Sequence, residues 1–205
     1  MTHFSPRAKT LLADTGLVYA AAIWGATFFM VKGALDSVDP VVMVGYRFVG
    51  AGLLLLAYLL YKRHNVLTGI GPALTLGVVL WVLYVPQTIG LEYTTASNSG
   101  FITGLFVLFV PLLMLTVFRQ RPTLLETVAS VVSLIGLWIL TGGMSDVNVG
   151  DFLTLITAVA YALHLLLADR YMKRGLNPLV LSCQQFLVVG TLSFLTALVF
   201  DLPLA

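Results

Sequence analysis

The sequence predicts an all-α polytopic membrane protein of about seven transmembrane helices, and three observations predict it. Of 205 residues, 59% are hydrophobic and only 10% charged, where an ordinary soluble domain carries roughly 45–50% and about 25%. The apolar residues come in seven continuous stretches, each near the roughly 20 residues that cross a hydrocarbon layer of about 30 Å. Nearly all the charge falls in the short segments between them, and the whole chain has a mean hydropathy of +0.99. The runs are continuous rather than alternating, which excludes a membrane β-barrel. Their richness in Leu, Val and Phe excludes disorder.

The spans run approximately over 11–31, 41–61, 71–91, 99–118, 123–141, 152–168 and 179–200. Arg7 and Lys9 precede Leu11 and Leu12 as in a signal peptide, but Asp14 interrupts that run and six spans follow. The first span is therefore read as an uncleaved helix. Lys and Arg in short loops stay cytoplasmic, and nine of the eleven basic residues fall on one side: Arg7, Lys9, Lys62, Arg63, Arg119, Arg121, Arg170, Lys173 and Arg174. The opposite side holds Lys32, Asp36, Asp39, Glu92, Asp146, Asp151 and Asp201. The N-terminus is thus expected in the cytoplasm and the chain in a cell inner membrane. The formal charge of +2 sits in these loops rather than in a patch that follows a phosphate backbone, so nucleic acid is not an expected partner. A single cysteine, Cys183, excludes an intrachain disulfide, and His3, His64 and His164 are too scattered for a zinc site. No metal or cofactor is expected.

Sliding the chain on itself by 138 residues pairs Leu17 with Leu155, Ala20 with Ala158, Ala22 with Ala160, Pro40 with Pro178, Phe48 with Phe186 and Gly52 with Gly190. The sixth and seventh spans therefore repeat the first and second. Five helices separate the copies, so the second copy must be inverted in the membrane. Such inverted repeats build secondary carriers that rock about a midplane site. The expected organisation is a first repeat over 11–141 and a partial second repeat over 150–205, three helices short of a full one.

Several short motifs in order carry a family resemblance. They are Trp24-Gly25-Ala26-Thr27-Phe28-Phe29 leading to Lys32; Pro40 and Arg47-Phe48; Thr94 to Gly104; Phe109-Val110-Pro111-Leu112-Leu113 with Gly136; and Gly150-Asp151-Phe152. Together, over roughly 16–200, they resemble an EamA-type carrier of the drug/metabolite transporter superfamily. The resemblance implies ten helices in two inverted five-helix repeats and the movement of small polar metabolites across the inner membrane. Two departures stand out: Arg119-Gln120-Arg121-Pro122 occupies a place where the family often has an acidic residue, and the last three helices are absent.

Candidate substrate-binding residues follow from polar groups at membrane depth. Arg47 lies roughly 9 Å inside the second span, where an ionisable side chain is expensive and by default functional; snorkelling or a pair with Asp36 or Asp39 is the alternative. Lys32 either holds an anionic group at the outer mouth or pairs with those aspartates. Glu92 is a solvated helix end or a proton-coupling acid. His164 is a proton relay or a packed histidine. Tyr46 and Arg47 correspond by the repeat to Gln184 and Gln185. Asn98 and Thr103, with Ser97 and Ser99, offer hydrogen bonds at the start of the fourth span, or else Ser97 or Asn98 caps that helix while Gly100 and Gly104 pack it. Pro86 and Pro111 free backbone carbonyls for binding or hinging, or else only kink their helices. Trp24 and Tyr161 either form aromatic walls of a central cavity or pack against their neighbours.

The reading is a non-enzymatic secondary carrier of a small polar metabolite or drug-like molecule. Its partners are that substrate, the lipid bilayer and, as further options, protons and a second copy of the chain. The alternatives are a non-transporting or dimerising fragment of such a carrier and an intramembrane serine hydrolase built on Ser99 and His164. The hydrolase lacks a G-x-S-x-G frame and places its two groups on opposite sides of the midplane. A retinal protein would need a lysine in the last span, which has none.

Overall fold

The computed structural model describes residues 5–142 and 147–204. His3, Asp146 and the side chains of Arg7 and Lys9 lie outside the described residues. Among the described residues eight helices form: α1 (Pro6–Ala34), α2 (Pro40–Tyr61), α3 (Ile70–Tyr93), α4 (Ala96–Gly104), α5 (Phe106–Thr116), α6 (Leu124–Thr141), α7 (Val149–Lys173) and α8 (Pro178–Val199). Six segments are long and apolar enough to cross a membrane, with α4 and α5 counting together as Ala96–Thr116, while the fifth predicted span is carried by a shorter apolar helix over Leu124–Ile139. The chain is a multi-pass helical membrane protein.

The predicted fourth span, 99–118, is corrected in two respects. The helix starts at Ala96, because Thr95 is the N-cap and its hydroxyl accepts the Asn98 N–H at 3.0 Å. It is also not continuous. At Leu105 the ladder tightens to i→i−3 bonds, Leu105 N–H to the Ile102 carbonyl and Leu108 N–H to the Leu105 carbonyl. Gly104 sits beside this break against α6, where a Cβ would lie 2.6 Å from Leu137 Cδ2. Pro111 stands inside α5 rather than at the break.

Helix α3 lies at the centre, packed on α7 and α8, and α2 packs on α8. Their shared core includes Val44, Phe48, Leu83, Ala160 and Val189. The α3–α7 crossing is close: a Cβ on Gly90 would lie 2.7 Å from the Gly150 carbonyl oxygen. Small residues permit such backbone approach, and without a hydrophobic force between lipid-embedded helices it is this packing that holds them. The crossing also buries a carboxylate. Asp151 accepts the Thr94 hydroxyl at 2.6 Å with Oδ1 and the Asn148 N–H at 2.9 Å with Oδ2, closing a capping box at the start of α7. Deeper in, Pro86 cannot donate to the ladder, and the neighbouring Leu83 carbonyl accepts the Thr157 hydroxyl of α7 at 2.9 Å.

Helices α2 and α8 are built alike. Asp39 and Asn177 cap them by accepting Val41 and Val42 N–H (2.8 and 3.2 Å) and Leu179 and Val180 N–H (2.9 and 3.4 Å), with Pro40 and Pro178 next in sequence. Both end on a left-handed residue, Arg63 (φ 55) and Asp201 (φ 51). The next N–H turns back in each case, His64 to the Leu59 carbonyl at 2.9 Å and Leu202 to the Ala197 carbonyl at 2.8 Å. The two helices run antiparallel, with a glycine of each against the other: a Cβ on Gly52 would lie 2.8 Å from Leu187 Cδ2, and one on Gly190 2.9 Å from the Val49 nitrogen. Tyr46 Oη donates to the Leu204 carbonyl at 2.9 Å, while Gln184 Nε2 donates to the Val66 carbonyl at 2.7 Å.

Candidate substrate cavity

Two adjoining hollows lie between α1, α2, α3, α7 and α8. One, of about 420 Å³, lies among Trp24, Leu83, Tyr161 and others; the second, of about 310 Å³, lies among Arg47, Phe48, Ala51, Gln185 and Phe186. Leu80, Tyr84 and His164 line both. These volumes suit small ligands. Of the predicted residues, Trp24, Arg47, Tyr161, His164 and Gln185 thus meet in one region, although they come from four helices.

Helix geometry explains the convergence. Arg47 is half-buried, with its guanidinium carbon 5.9 Å from the centre of the Tyr84 ring, within range of a cation–π contact. The alternative of a pair with Asp36 or Asp39 is not seen among the described residues, and Asp39 caps α2. Among the described residues the one ion pair is Lys173 with Asp169, at the far end of α7. His164 Nε2 lies 2.7 Å from Gln185 Oε1; with the amide in this orientation Nε2 is the donor. Trp24 and Tyr161 meet edge to face with ring centres 5.3 Å apart, and Phe106 stands 4.3 Å from Tyr161.

The other predicted residues lie elsewhere. Tyr46 is exposed on the outer side of α2 and holds the segment after α8. Lys32 donates to the carbonyls of Leu91 and Glu92 at the C-terminal end of α3, rather than pairing with aspartates. There a cation meets the negative end of the helix dipole. Thr103 is buried and accepts the Gln87 amide N–H at 2.9 Å. Asn98 is buried in the first turn of α4, away from both hollows. Ser99 lies 3.5 Å from Thr154 Oγ1, so the two groups of the hydrolase reading have separate partners. Sequence reasoning missed Tyr84, which borders both hollows and Arg47. Its signal was a lone hydroxyl-bearing ring in mid-span, two residues before Pro86.

The fold defines a class, the polytopic helical membrane proteins. The EamA-like transporter family matches residues 11–142. The chain belongs to that family. It is 34% identical over 185 residues to an uncharacterized transporter of Archaeoglobus fulgidus, covering 90% of this chain and 58% of that one. It is 30% identical over 164 residues to the uncharacterized inner membrane transporter YedA of Escherichia coli K12, covering 76% and 53%. An S-adenosylmethionine/S-adenosylhomocysteine transporter of Chlamydia muridarum is 33% identical over 88 residues, 41% of this chain and 28% of its own. The chain thus spans somewhat over half the length of the first two relatives. One solved crystal structure shares the fold with a TM-score of 0.64 at 18% identity, covering 89% of this chain and 68% of that one.

Proposed function

We propose that the chain is part or all of a secondary carrier that moves a small polar metabolite by alternating access, with the substrate held in the hollows beside Arg47, His164 and Gln185. The observation that carries this reading is Arg47: a guanidinium inside a membrane span that faces a cavity instead of a carboxylate. Such a residue is expensive in hydrocarbon and is retained where a polar path needs it. The transporter names of the relatives support the same reading.

Alternating access rests on the inverted repeat. The likeness of α2 and α8 supports it, because every matched feature falls at one spacing: caps 39 and 177, left-handed residues 63 and 201, and glycines 52 and 190. Even the tie from Tyr46 to Leu204 has its counterpart in Gln184 to Val66. The end of the bundle bearing Lys62, Arg119 and Arg174 faces the cytoplasm in this reading, and His164 is the cavity group through which proton coupling would run.

The test is efflux from proteoliposomes loaded with the small-molecule fraction of the source cell, with retained compounds identified by mass spectrometry. The expected result is loss of one or more compounds that liposomes carrying Arg47→Ala keep. Identical profiles for empty and protein-containing liposomes would contradict the carrier reading.

A further inference from the structure

Resting on the carrier reading, we infer that the cavity takes an organic anion, its carboxylate on Arg47 and its apolar body against the rings of Trp24, Tyr84 and Tyr161. Charge is the first argument. Among the described residues, those that line the two hollows include Arg47 but no Asp or Glu, and those of the crevice that continues from Arg47 between Thr27, Gln87 and Thr88 include none either. A cation entering this space would meet a guanidinium with no carboxylate beside it, and a neutral solute would leave that charge as it is. An anion neutralises it, and a carboxylate does so with two parallel N–H···O bonds.

Donor chemistry agrees. Gln185 engages its carbonyl oxygen with His164, so the part it offers a ligand is its NH₂ group. Arginine and amide N–H groups both suit a carboxylate acceptor. The walls supply the rest of the selection. Phe48 and Phe186 flank the Arg47 hollow, and Tyr84 leads from it to Trp24 and Tyr161. An inorganic anion would leave the ring surfaces that line these hollows uncovered, whereas a flat or branched apolar body covers them. The combined requirement is one negative group and one apolar group on the same small molecule.

The test compares three probes that share a phenyl body: phenylacetate, phenethylamine and 2-phenylethanol. Each is titrated against the purified full chain in detergent, with binding read by calorimetry and by thermal shift. Phenylacetate is expected to bind at least about tenfold more tightly than either of the others. Arg47→Gln is expected to abolish that preference, and Arg47→Lys, which keeps the charge, to retain it; the unliganded melting temperatures show that both variants fold. Equal or tighter binding of the amine or the alcohol, no binding of phenylacetate, or an undiminished preference in Arg47→Gln would each overturn the inference. Counterflow of the same probes in proteoliposomes separates the two levels. Arg47-dependent binding of phenylacetate without counterflow sinks the carrier and leaves the anion site, whereas carriage of the amine or alcohol in preference to phenylacetate sinks the anion site and leaves the carrier.

Discussion

Arg47 and Lys32 are both basic residues near the same end of the bundle, yet their surroundings give them opposite roles. Lys32 is bonded to the terminal carbonyls of α3, a contribution of about 0.3–1 kcal/mol for a cation at a helix C-terminus. Lys32→Met is accordingly expected to lower the melting temperature in detergent while leaving transport intact; loss of transport with unchanged stability would return Lys32 to the substrate path. Arg47 has its guanidinium over Tyr84 at the cavity, so Arg47→Ala is expected to abolish transport while the protein stays in the membrane at normal abundance. Uptake by that variant at the unaltered rate would remove Arg47 from the site. At this scale the sequence marked depth and polarity well. It could not tell which way a side chain faces, and Tyr46 illustrates the loss: one residue from Arg47, it sits about 100° round the helix and faces outward.

The helices hold together by close contact of small residues and a few buried hydrogen bonds. At the α3–α7 crossing a side chain on Gly90 would strike the Gly150 backbone, and backbone cannot rotate away as a side-chain tip can. Gly90→Ala should therefore destabilise by about 1–3 kcal/mol, measured as a lower melting temperature. Gly136→Ala is the control, since nothing lies within 4 Å of its added Cβ; it should be neutral or stabilise by up to about 1 kcal/mol through helix propensity. Equal losses in both would mean that the crossing is looser than its geometry. Thr157→Val removes the bond to the Leu83 carbonyl and should cost about 0.6 kcal/mol, the average for such bonds within membranes. Element positions were legible because apolar length and flanking charge fix them. The break at Leu105 was not: Gly104 stands beside it, but a single glycine is tolerated inside an apolar run, and its packing on Leu137 is a tertiary contact that no sequence pattern shows.

For the whole molecule, the matched pairs Pro40 and Pro178 and Gly52 and Gly190 were readable in the sequence because they serve caps and close packing, which constrain residue type. The hydrogen bonds from Tyr46 and Gln184 were not, since different residues make them to backbone carbonyls. What the fold brings together is a cavity whose lining comes from both ends of the chain, α1 to α3 and α7 to α8. If that cavity is a transport path, water must reach it in the membrane. The direct measurement is labelling by a membrane-impermeant maleimide in sealed vesicles, in a Cys183→Ser background, with single cysteines at Ala51 on the cavity wall and at Leu53, exposed about 160° round the same helix. The carrier account predicts rapid labelling at Ala51→Cys, slowed by Arg47-directed ligands, and none at Leu53→Cys. An Ala51→Cys as unreactive as Leu53→Cys would mean that the hollow is dry, and the central claim would fall.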